Sequence, residues 1–411
     1  MCNWRYVCCV LLLYLLARVS AQKTALDSPS NLQLYRVFRN WIYDAFGRTG
    51  TEERFLKMSR EANKVQNYIP NDNPFPCNVT GGRSSEVPVS VHKLRPGDID
   101  VIAAMGDSLT AGAGIFADNV VQIFIENRGV SATGGGQGTW REYLTIPNIL
   151  KEYNPNLIGY ALSDSLTSHE ASQLNVAETG AMSQDMPYMA QILVKRILRD
   201  PRIDVQKHWK FISLMIGSND FCLNMCVTSP PTSVLEKHKD DLLKVLRILR
   251  DNLPRTFVAL ISPPHLKILV ATQHEKTPKY CYMTTDIECP CMFGLQYRHM
   301  RPLYYEIIEQ WQKLEMEIAT YPEFQKDDFT VVFQPILMNI TVPSTSEGYS
   351  DLTYLSADCF HISQKSNAAY AIGLWNNLFE PIGAKSSIFS DSIEQLRCPP
   401  MERPYLATTL N

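Results

Sequence analysis

The sequence lacks several features that would assign it to common protein classes. Its 411 residues hold no basic stripe and no Lys/Arg cluster interleaved with aromatic residues, and the net charge is −3, so nucleic acid is not an expected partner. Beyond residues 1–21, no apolar run reaches the ~20 residues that a membrane span needs. No internal repeat is visible. With 45% hydrophobic and 20% charged residues, the composition is that of an ordinary globular protein.

The first 21 residues have the pattern of a secretory signal peptide. Arg5 precedes an apolar run from Tyr6 to Ala17, and Val19-Ser20-Ala21 supplies a small-residue cleavage site. An uncleaved anchor is disfavoured because this run is too short to span a membrane. Tyr405 to Asn411 is polar and lacks the hydrophobic tail of a lipid-anchor signal. We therefore expect a secreted, extracellular protein whose mature chain has no transmembrane segment.

Eight of the 11 cysteines lie beyond the signal peptide, and an even number in an oxidising compartment favours disulfides. The spacing of Cys281, Cys289 and Cys291 matches no paired C-x2-C zinc pattern, so we expect no metal site there.

Two disulfide pairings are predicted. Cys222 and Cys226 are four residues apart and are expected to pair, and Cys359 is expected to pair with Cys398 near the end of the chain. The other four cysteines would supply the remaining bonds.

The mature chain divides into an extension, a main domain and a tail. Residues 22–86 are predicted to form a helical extension followed by a loop, and residues 87–398 alternate strand and helix patterns. That alternation predicts an α/β domain with three layers, α/β/α, around a central parallel sheet. Residues 399–411 form the tail. Asn78 and Asn339 lie in glycosylation sequons, which agrees with secretion.

The stretch from Ile99 to Ala113 is the centre of the domain. A nearly continuous apolar run, typical of a buried parallel strand, breaks at Gly106-Asp107-Ser108. Because function in open α/β sheets collects at the carboxyl ends of strands, Ser108 is a candidate nucleophile. A helix-capping serine is the structural alternative.

Three later patterns supply partners for such a serine. A glycine run at residues 134–136 would let a backbone approach a ligand closely, although glycine clusters also mark surface turns. Asn219 follows an apolar strand and offers an amide donor at the same edge of the sheet. Asp358 and His361 are three residues apart before a predicted helix, so that the carboxylate can orient the imidazole.

The order of these four signals resembles the GDSL or SGNH hydrolase superfamily. The strings RPGDIDVIAAMGDSLTAGAG, MIGSND and DCFHISQKSNAAYAIGLWNNLFEPIG look like its animal phospholipase B branch, and the resemblance covers about Val87 to Cys398. It implies a flavodoxin-like SGNH hydrolase fold. Unlike the large repeated, anchored members of the branch, this chain is expected to carry one catalytic unit and no C-terminal membrane segment.

The resemblance also implies a role for each residue. Ser108 would be the nucleophile, His361 the general base and Asp358 the group that orients it. The oxyanion hole would consist of the Ser108 N–H, the Gly136 N–H and the Asn219 amide. Gly134 and Gln137 stand where the branch has an aliphatic residue and an aspartate, so the register of the oxyanion glycine within residues 134–136 stays open.

The expected activity is hydrolysis of phospholipid and lysophospholipid acyl esters, at a membrane or micelle surface, without a cofactor or metal. The general base would titrate near ~6.5, the ordinary value of imidazole. The α/β-hydrolase motif Gly-x-Ser-x-Gly is missing around Ser108. A carboxylesterase acting on short-chain or carbohydrate acetyl esters is an alternative, as is a catalytically silent lipid- or glycan-binding protein on the same fold.

Overall fold

A computed structural model describes residues 29–46, 48–273, 276–387 and 393–411. The predicted signal peptide, residues 1–21, lies outside the described residues.

A five-stranded sheet forms the centre of the domain, in the order β1-β2-β3-β5-β4. Strands β1, β2, β3 and β5 are parallel, and the short β4 joins the edge antiparallel to β5. This arrangement confirms the predicted parallel sheet. The strands are β1 Ile99–Gly106, β2 Trp209–Met215, β3 Thr256–Ile261, β4 Gln325–Lys326 and β5 Phe329–Gln334.

Helices connect the strands and cover the sheet. They are α1 Pro29–Phe46, α2 Glu53–Glu61, α3 Ser108–Ala111, α4 Ile146–Tyr153, α5 Met186–Arg199, α6 Ser233–Asn252, α7 Lys267–Thr272, α8 Lys279–Glu288, α9 Pro290–Phe293, α10 Arg301–Ile318 and α11 Gln364–Phe379. Within the described ranges, none of them is long and apolar enough to cross a membrane.

Successive residues of each strand face opposite sides of the sheet, and both sides are buried. Val101 and Ile212 pack in one apolar core with α5 and α6. Ile102, Phe211 and Phe257 pack in a second core with α4 and α11. The sheet is therefore the middle layer of three, as the unbroken apolar character of its strands predicts.

The disulfides differ from the predicted pairs. All eight cysteines of the described residues are bonded, as Cys77–Cys398, Cys222–Cys289, Cys226–Cys291 and Cys281–Cys359. The predicted pairings Cys222–Cys226 and Cys359–Cys398 are wrong. The turn after β2 packs against α9, so its two cysteines each bond to that segment. Cys359 instead meets α8, and Cys398 meets the loop before β1.

Two local predictions are also corrected. The cysteine-rich stretch before Met292 has little periodicity, which predicts a loop, but it forms α8 and α9. The side of α8 that faces the protein carries Cys281, Thr284 and Thr285, which are buried without an apolar pattern. The apolar residues at 157–161 predict a strand, but they contribute only isolated bridges to β1 and to the glycine run.

Candidate active site

Ser108 stands at the carboxyl end of β1, at the first residue of the one-turn helix α3. The carboxylate of Asp107 accepts the Leu109 N–H at 3.0 Å and so caps this turn. Gly106 has a φ of +154°, and a Cβ there would lie 2.4 Å from the main-chain oxygen of Met215. The strand therefore needs glycine just before it presents Ser108, whose side chain is largely buried.

Ser108, His361 and Asp358 form one hydrogen-bonded chain. Nε2 of His361 lies 2.8 Å from Oγ of Ser108, and Nδ1 lies 2.5 Å from Oδ2 of Asp358. The other carboxylate oxygen of Asp358 accepts the main-chain N–H groups of Phe360 and His361, both at 3.0 Å. The backbone reverses at Cys359, which has a φ of +61°. This turn directs Asp358 and His361 to the same side, so the aspartate can orient the ring.

The charges around His361 move its pKa away from the value expected from the sequence. Burial lowers the pKa of the imidazole, but Asp358, and then Glu288 and Asp107, outweigh this effect and raise the pKa of His361 to about 9. Burial opposes the charge on Asp358, but the imidazolium of His361 holds the pKa of that carboxyl below its ordinary value. Burial raises the pKa of Asp107 to about 6.

Asn219 follows β2 and faces the same cavity as Ser108. The chain between β2 and Asn219 turns at Gly217, which has a φ of +136°. The side-chain amide donates a hydrogen bond to the main-chain oxygen of Ala181 at 2.9 Å. An amide carries two N–H bonds, and this contact uses one of them. The other can serve a ligand atom near Ser108.

Two N–H groups of the glycine run, including that of Gly136, already have hydrogen-bond partners inside the protein. The Gly136 N–H donates to the Ala161 oxygen at 2.9 Å, and the Gly135 N–H donates to the Ser131 oxygen at 3.0 Å. A Cβ on Gly136 would lie 2.1 Å from Cδ2 of Tyr160. The structure thus corrects the assignment of Gly136: this glycine allows close packing and has no N–H left for an oxyanion.

A different glycine, Gly180, lies at the edge of the sheet next to the carboxyl end of β1. The sequence analysis did not identify it. The main-chain N–H groups of Val176 and Glu178 donate to the oxygens of Ala104 and Gly106 at 2.9 and 3.1 Å, so this stretch continues the sheet beside β1. Gly180 follows it with a φ of +86°, exposed and with open space where a Cβ would be. Residues 174–178 read Leu-Asn-Val-Ala-Glu, with no strict alternation of apolar and polar residues, so no periodic pattern predicts this stretch as part of the sheet.

An apolar cavity of about 80 Å³ opens beside Ser108 and Asn219. Its walls come from the loop after β3 with α7, the segment after β5, and the start of α11 with the turn before it. Sequence reasoning identified none of these residues as a group. The apolar side chains include Leu109, Ile268, Leu337, Ile340, Leu355 and Ile362.

Two further features are a second cleft and a cluster of possible metal ligands. A larger cleft of about 910 Å³ lies between α5 and residues 167–178, and its lining includes neither Ser108 nor His361. Among the described residues, Glu288, Asp358 and His361 form a group of potential metal ligands with their atoms within 4.8 Å of one another. Because Asp358 and Nδ1 of His361 already bond to each other, a hydrogen-bonded pair describes them better than a metal centre.

Comparison with known proteins gives consistent matches. Residues 102–374 match the family model described as GDSL-like Lipase/Acylhydrolase. The chain is 38% identical to "Phospholipase B1, membrane-associated" of Rattus norvegicus over 333 residues, which are 80% of this chain and 22% of that protein. The corresponding human protein is 38% identical over 373 residues, 87% of this chain and 24% of that protein. The chain thus spans about a quarter or less of these relatives.

Among solved structures, the chain matches an extracellular lipase of Streptomyces rimosus with 13% identity and a TM-score of 0.31, over 66% of this chain and 97% of that one.

Proposed function

This chain belongs to the GDSL-like lipase/acylhydrolase family, and from that premise we propose that it hydrolyses acyl esters of phospholipids and lysophospholipids through an acyl-serine intermediate. The observation that carries this proposal is the hydrogen-bonded chain from Ser108 through His361 to Asp358. A serine hydroxyl is a poor nucleophile until a base accepts its proton, and here a base is within hydrogen-bond distance.

In the first half of the reaction, Ser108 Oγ attacks the ester carbonyl while Nε2 of His361 takes the hydroxyl proton. Asp358 keeps the ring in place and stabilises the imidazolium that forms. When the carbon–oxygen bond to the alcohol breaks, His361 gives its proton to the departing oxygen. A water molecule then attacks the acyl-enzyme with His361 as base, which releases the fatty acid and regenerates Ser108.

We assign the oxyanion donors to the Ser108 N–H, the free N–H of the Asn219 amide and the Gly180 N–H. Ser108 follows the carboxyl end of β1, Asn219 follows that of the neighbouring β2, and Gly180 follows the stretch beside β1. A donor of this kind contributes about 2.7–4 kcal/mol to the transition state in other hydrolases. Gly180 replaces Gly136 because its surroundings leave it exposed at this edge.

The apolar cavity supports a lipid acyl group as the part of the substrate that lies beside Ser108. Its lining is formed mostly by aliphatic and aromatic side chains, and these favour a hydrocarbon chain over a polar group. The matched relatives carry the name phospholipase B1, which supports a phospholipid headgroup on the other side of the ester. Catalysis at a membrane or micelle surface follows from a substrate that is insoluble in water.

We further propose that the protein is secreted and carries glycans on Asn78 and Asn339. Both asparagines are exposed, and the disulfides fit an oxidising compartment. Intact mass before and after enzymatic deglycosylation of secreted protein tests both sites, with Asn78→Gln and Asn339→Gln as single-site controls. Unchanged masses would contradict the assignment.

Substrate assays test the proposed activity. Purified protein is incubated in excess EDTA with phosphatidylcholine, lysophosphatidylcholine and a short-chain acetyl ester, next to the Ser108→Ala variant. We expect fatty acid release from both lipids with the wild type alone, because nucleophile, base and oxyanion donors all come from the chain. Turnover of only the acetyl ester would favour a carboxylesterase, and no turnover of any ester would indicate a binding protein.

A further inference from the structure

Glu288 is an acidic side chain beside the proposed triad that the reaction described above does not use. Its Oε2 lies 3.9 Å from Nδ1 of His361, and the ligand atoms of Glu288, Asp358 and His361 all lie within 4.8 Å of one another. The side chain as a whole is 23% exposed. Oε2 itself is buried and has no hydrogen-bond partner in the described part of the chain.

Two disulfide bonds restrain the backbone on either side of Glu288. It is the last residue of α8, and Cys289 after it is bonded to Cys222 in the turn that follows β2. Earlier in α8, Cys281 is bonded to Cys359, inside the turn between Asp358 and His361. The backbone that carries Glu288 is therefore tied both to the turn after β2 and to the turn that carries Asp358 and His361.

An unpaired buried carboxylate oxygen is unfavourable unless it takes up a proton or faces a positive charge. Thr284 Oγ1 donates to the main-chain oxygen of Asp358 at 2.6 Å, but no such donor reaches Oε2 of Glu288 among the described residues. A protonated carboxyl would gain an O–H donor, with Asp358 as the neighbouring acceptor. Burial raises the pKa of Glu288 to about 8, the charge of His361 lowers it, and Asp358 raises it.

We propose that Glu288 is a positioning residue whose carboxyl charge, placed beside the imidazole ring, sets the pH range in which His361 acts as the general base. This inference rests on the proposed function, because it requires that His361 accept the Ser108 proton. Glu288 touches neither substrate nor the reacting atoms and acts through His361.

The charged groups around the ring define how this works. Asp358 faces His361 from its own turn, Asp107 from the end of β1 and Glu288 from α8. Lys64, which follows α2, interacts with Asp358. When Glu288 is ionised, it stabilises the imidazolium and keeps His361 protonated to higher pH; when it is protonated, that effect is absent. The two groups therefore titrate as a coupled pair.

The test compares Glu288→Gln with Asp286→Asn. Glutamine has the shape of a protonated glutamate and cannot ionise, while Asp286 is an exposed acid on the same helix. The rate of Ser108 modification by a fluorophosphonate probe is measured from about pH 5 to about pH 10, which brackets the imidazole range. We expect the acid limb of the Glu288→Gln profile to move to lower pH by about one unit and that of Asp286→Asn to stay at the wild-type midpoint.

The outcomes separate this inference from the proposed function. If the wild type is modified at Ser108 but Glu288→Gln keeps the wild-type midpoint, the role of Glu288 is wrong and the proposed function stands. If the wild type is not modified at any pH, both are wrong. A purely structural role would lower the rate at every pH without moving the midpoint.

A measurement on the wild type covers the case in which Glu288→Gln does not fold. The ring nitrogen signals of ¹⁵N-labelled histidine, assigned to His361 by their loss in His361→Gln, are followed by NMR as the pH is raised. We expect two apparent steps at this ring because it senses its own proton and that of Glu288. A single step would overturn the inference.

Discussion

The Nδ2 amide of Asn219 donates a hydrogen bond to the main-chain oxygen of Ala181 across 2.9 Å. The bond joins the loop after β2 to the stretch that continues the sheet beside β1, so two loops at the proposed oxyanion hole are held together by one side chain. In the proposed mechanism the amide of Asn219 therefore uses one N–H to join these loops and the other to bind the oxyanion.

Replacing Asn219 by alanine is expected to lower kcat with little change in KM. The free N–H should bond the oxyanion of the transition state more strongly than the ground-state carbonyl, so that its loss reduces kcat by on the order of 10²-fold or more. Asn219→Asp, which keeps the shape but replaces the two N–H donors by a carboxylate that repels the oxyanion, should lose at least as much. Steady-state kinetics with a soluble ester measure this, and a raised KM at constant kcat would place Asn219 in substrate binding instead.

Ser108→Ala is expected to abolish activity and fluorophosphonate labelling while the protein stays folded. His361→Ala should be similarly inactive, because serine and base act as a unit. Asp358→Asn should lose less, by analogy with a hydrolase in which removing the aspartate alone costs on the order of 10⁴-fold in kcat and removing serine or histidine on the order of 10⁶-fold. Thermal unfolding of each variant is the control. Labelling that persists at another serine would show that the nucleophile is misassigned.

The pH dependence should differ from that of an ordinary histidine. Because the pKa of His361 is raised to about 9, its imidazolium persists at neutral pH, and only the neutral ring can accept the Ser108 proton. We expect kcat/KM to rise with pH through the alkaline range. Asp358→Asn should move the midpoint to lower pH, since Asp358 is the main group that raises this pKa. A wild-type midpoint near ~6.5 would contradict the electrostatic description of the site.

Alanine is expected to affect stability at Gly136, the glycine predicted from the sequence, and activity at Gly180, the glycine now assigned. Gly136→Ala would place a methyl group on the Tyr160 ring and should lower the melting temperature strongly, since overpacking a core costs about 1–3 kcal/mol or more. Gly180→Ala meets no atom within 4 Å, although its positive φ is unfavourable for alanine. It should stay folded and lose kcat, because alanine keeps the main-chain N–H but shifts the backbone that directs this N–H toward Ser108. Normal activity of folded Gly180→Ala would argue against Gly180 as a donor.

Removing either of two disulfides is expected to have a different main effect, one on kcat and the other on the free energy of unfolding. Cys281 and Cys359 are 78 residues apart, and their bond joins α8 to the turn that carries Asp358 and His361. Cys77 and Cys398 are 321 residues apart. Replacing the first pair by serine should reduce kcat the more. Replacing the second pair should reduce the free energy of unfolding the more, because chain entropy increases with loop length. Peptide mapping without reduction checks both pairings beforehand.

The sequence by itself determined the elements that depend on local pattern. The apolar run before Ser108 and the run before Asn219 identified β1 and β2, because a strand buried on both faces needs continuous apolar residues. The three-residue spacing of Asp358 and His361 is also a local feature, since a single turn brings the two side chains within hydrogen-bond distance.

The tertiary structure alone decided whatever depends on which segments meet. Cys222 and Cys289 are distant in the chain and bond because the turn after β2 packs on α9. Gly136 packs against the ring of Tyr160, whereas Gly180 is exposed beside β1, and the local sequence does not distinguish the two glycines. Glu288 lies beside His361 where the Cys281–Cys359 bond joins α8 to the turn that carries Asp358 and His361. Contacts between distant segments are set by the packing of the whole domain, which no local run of residues encodes.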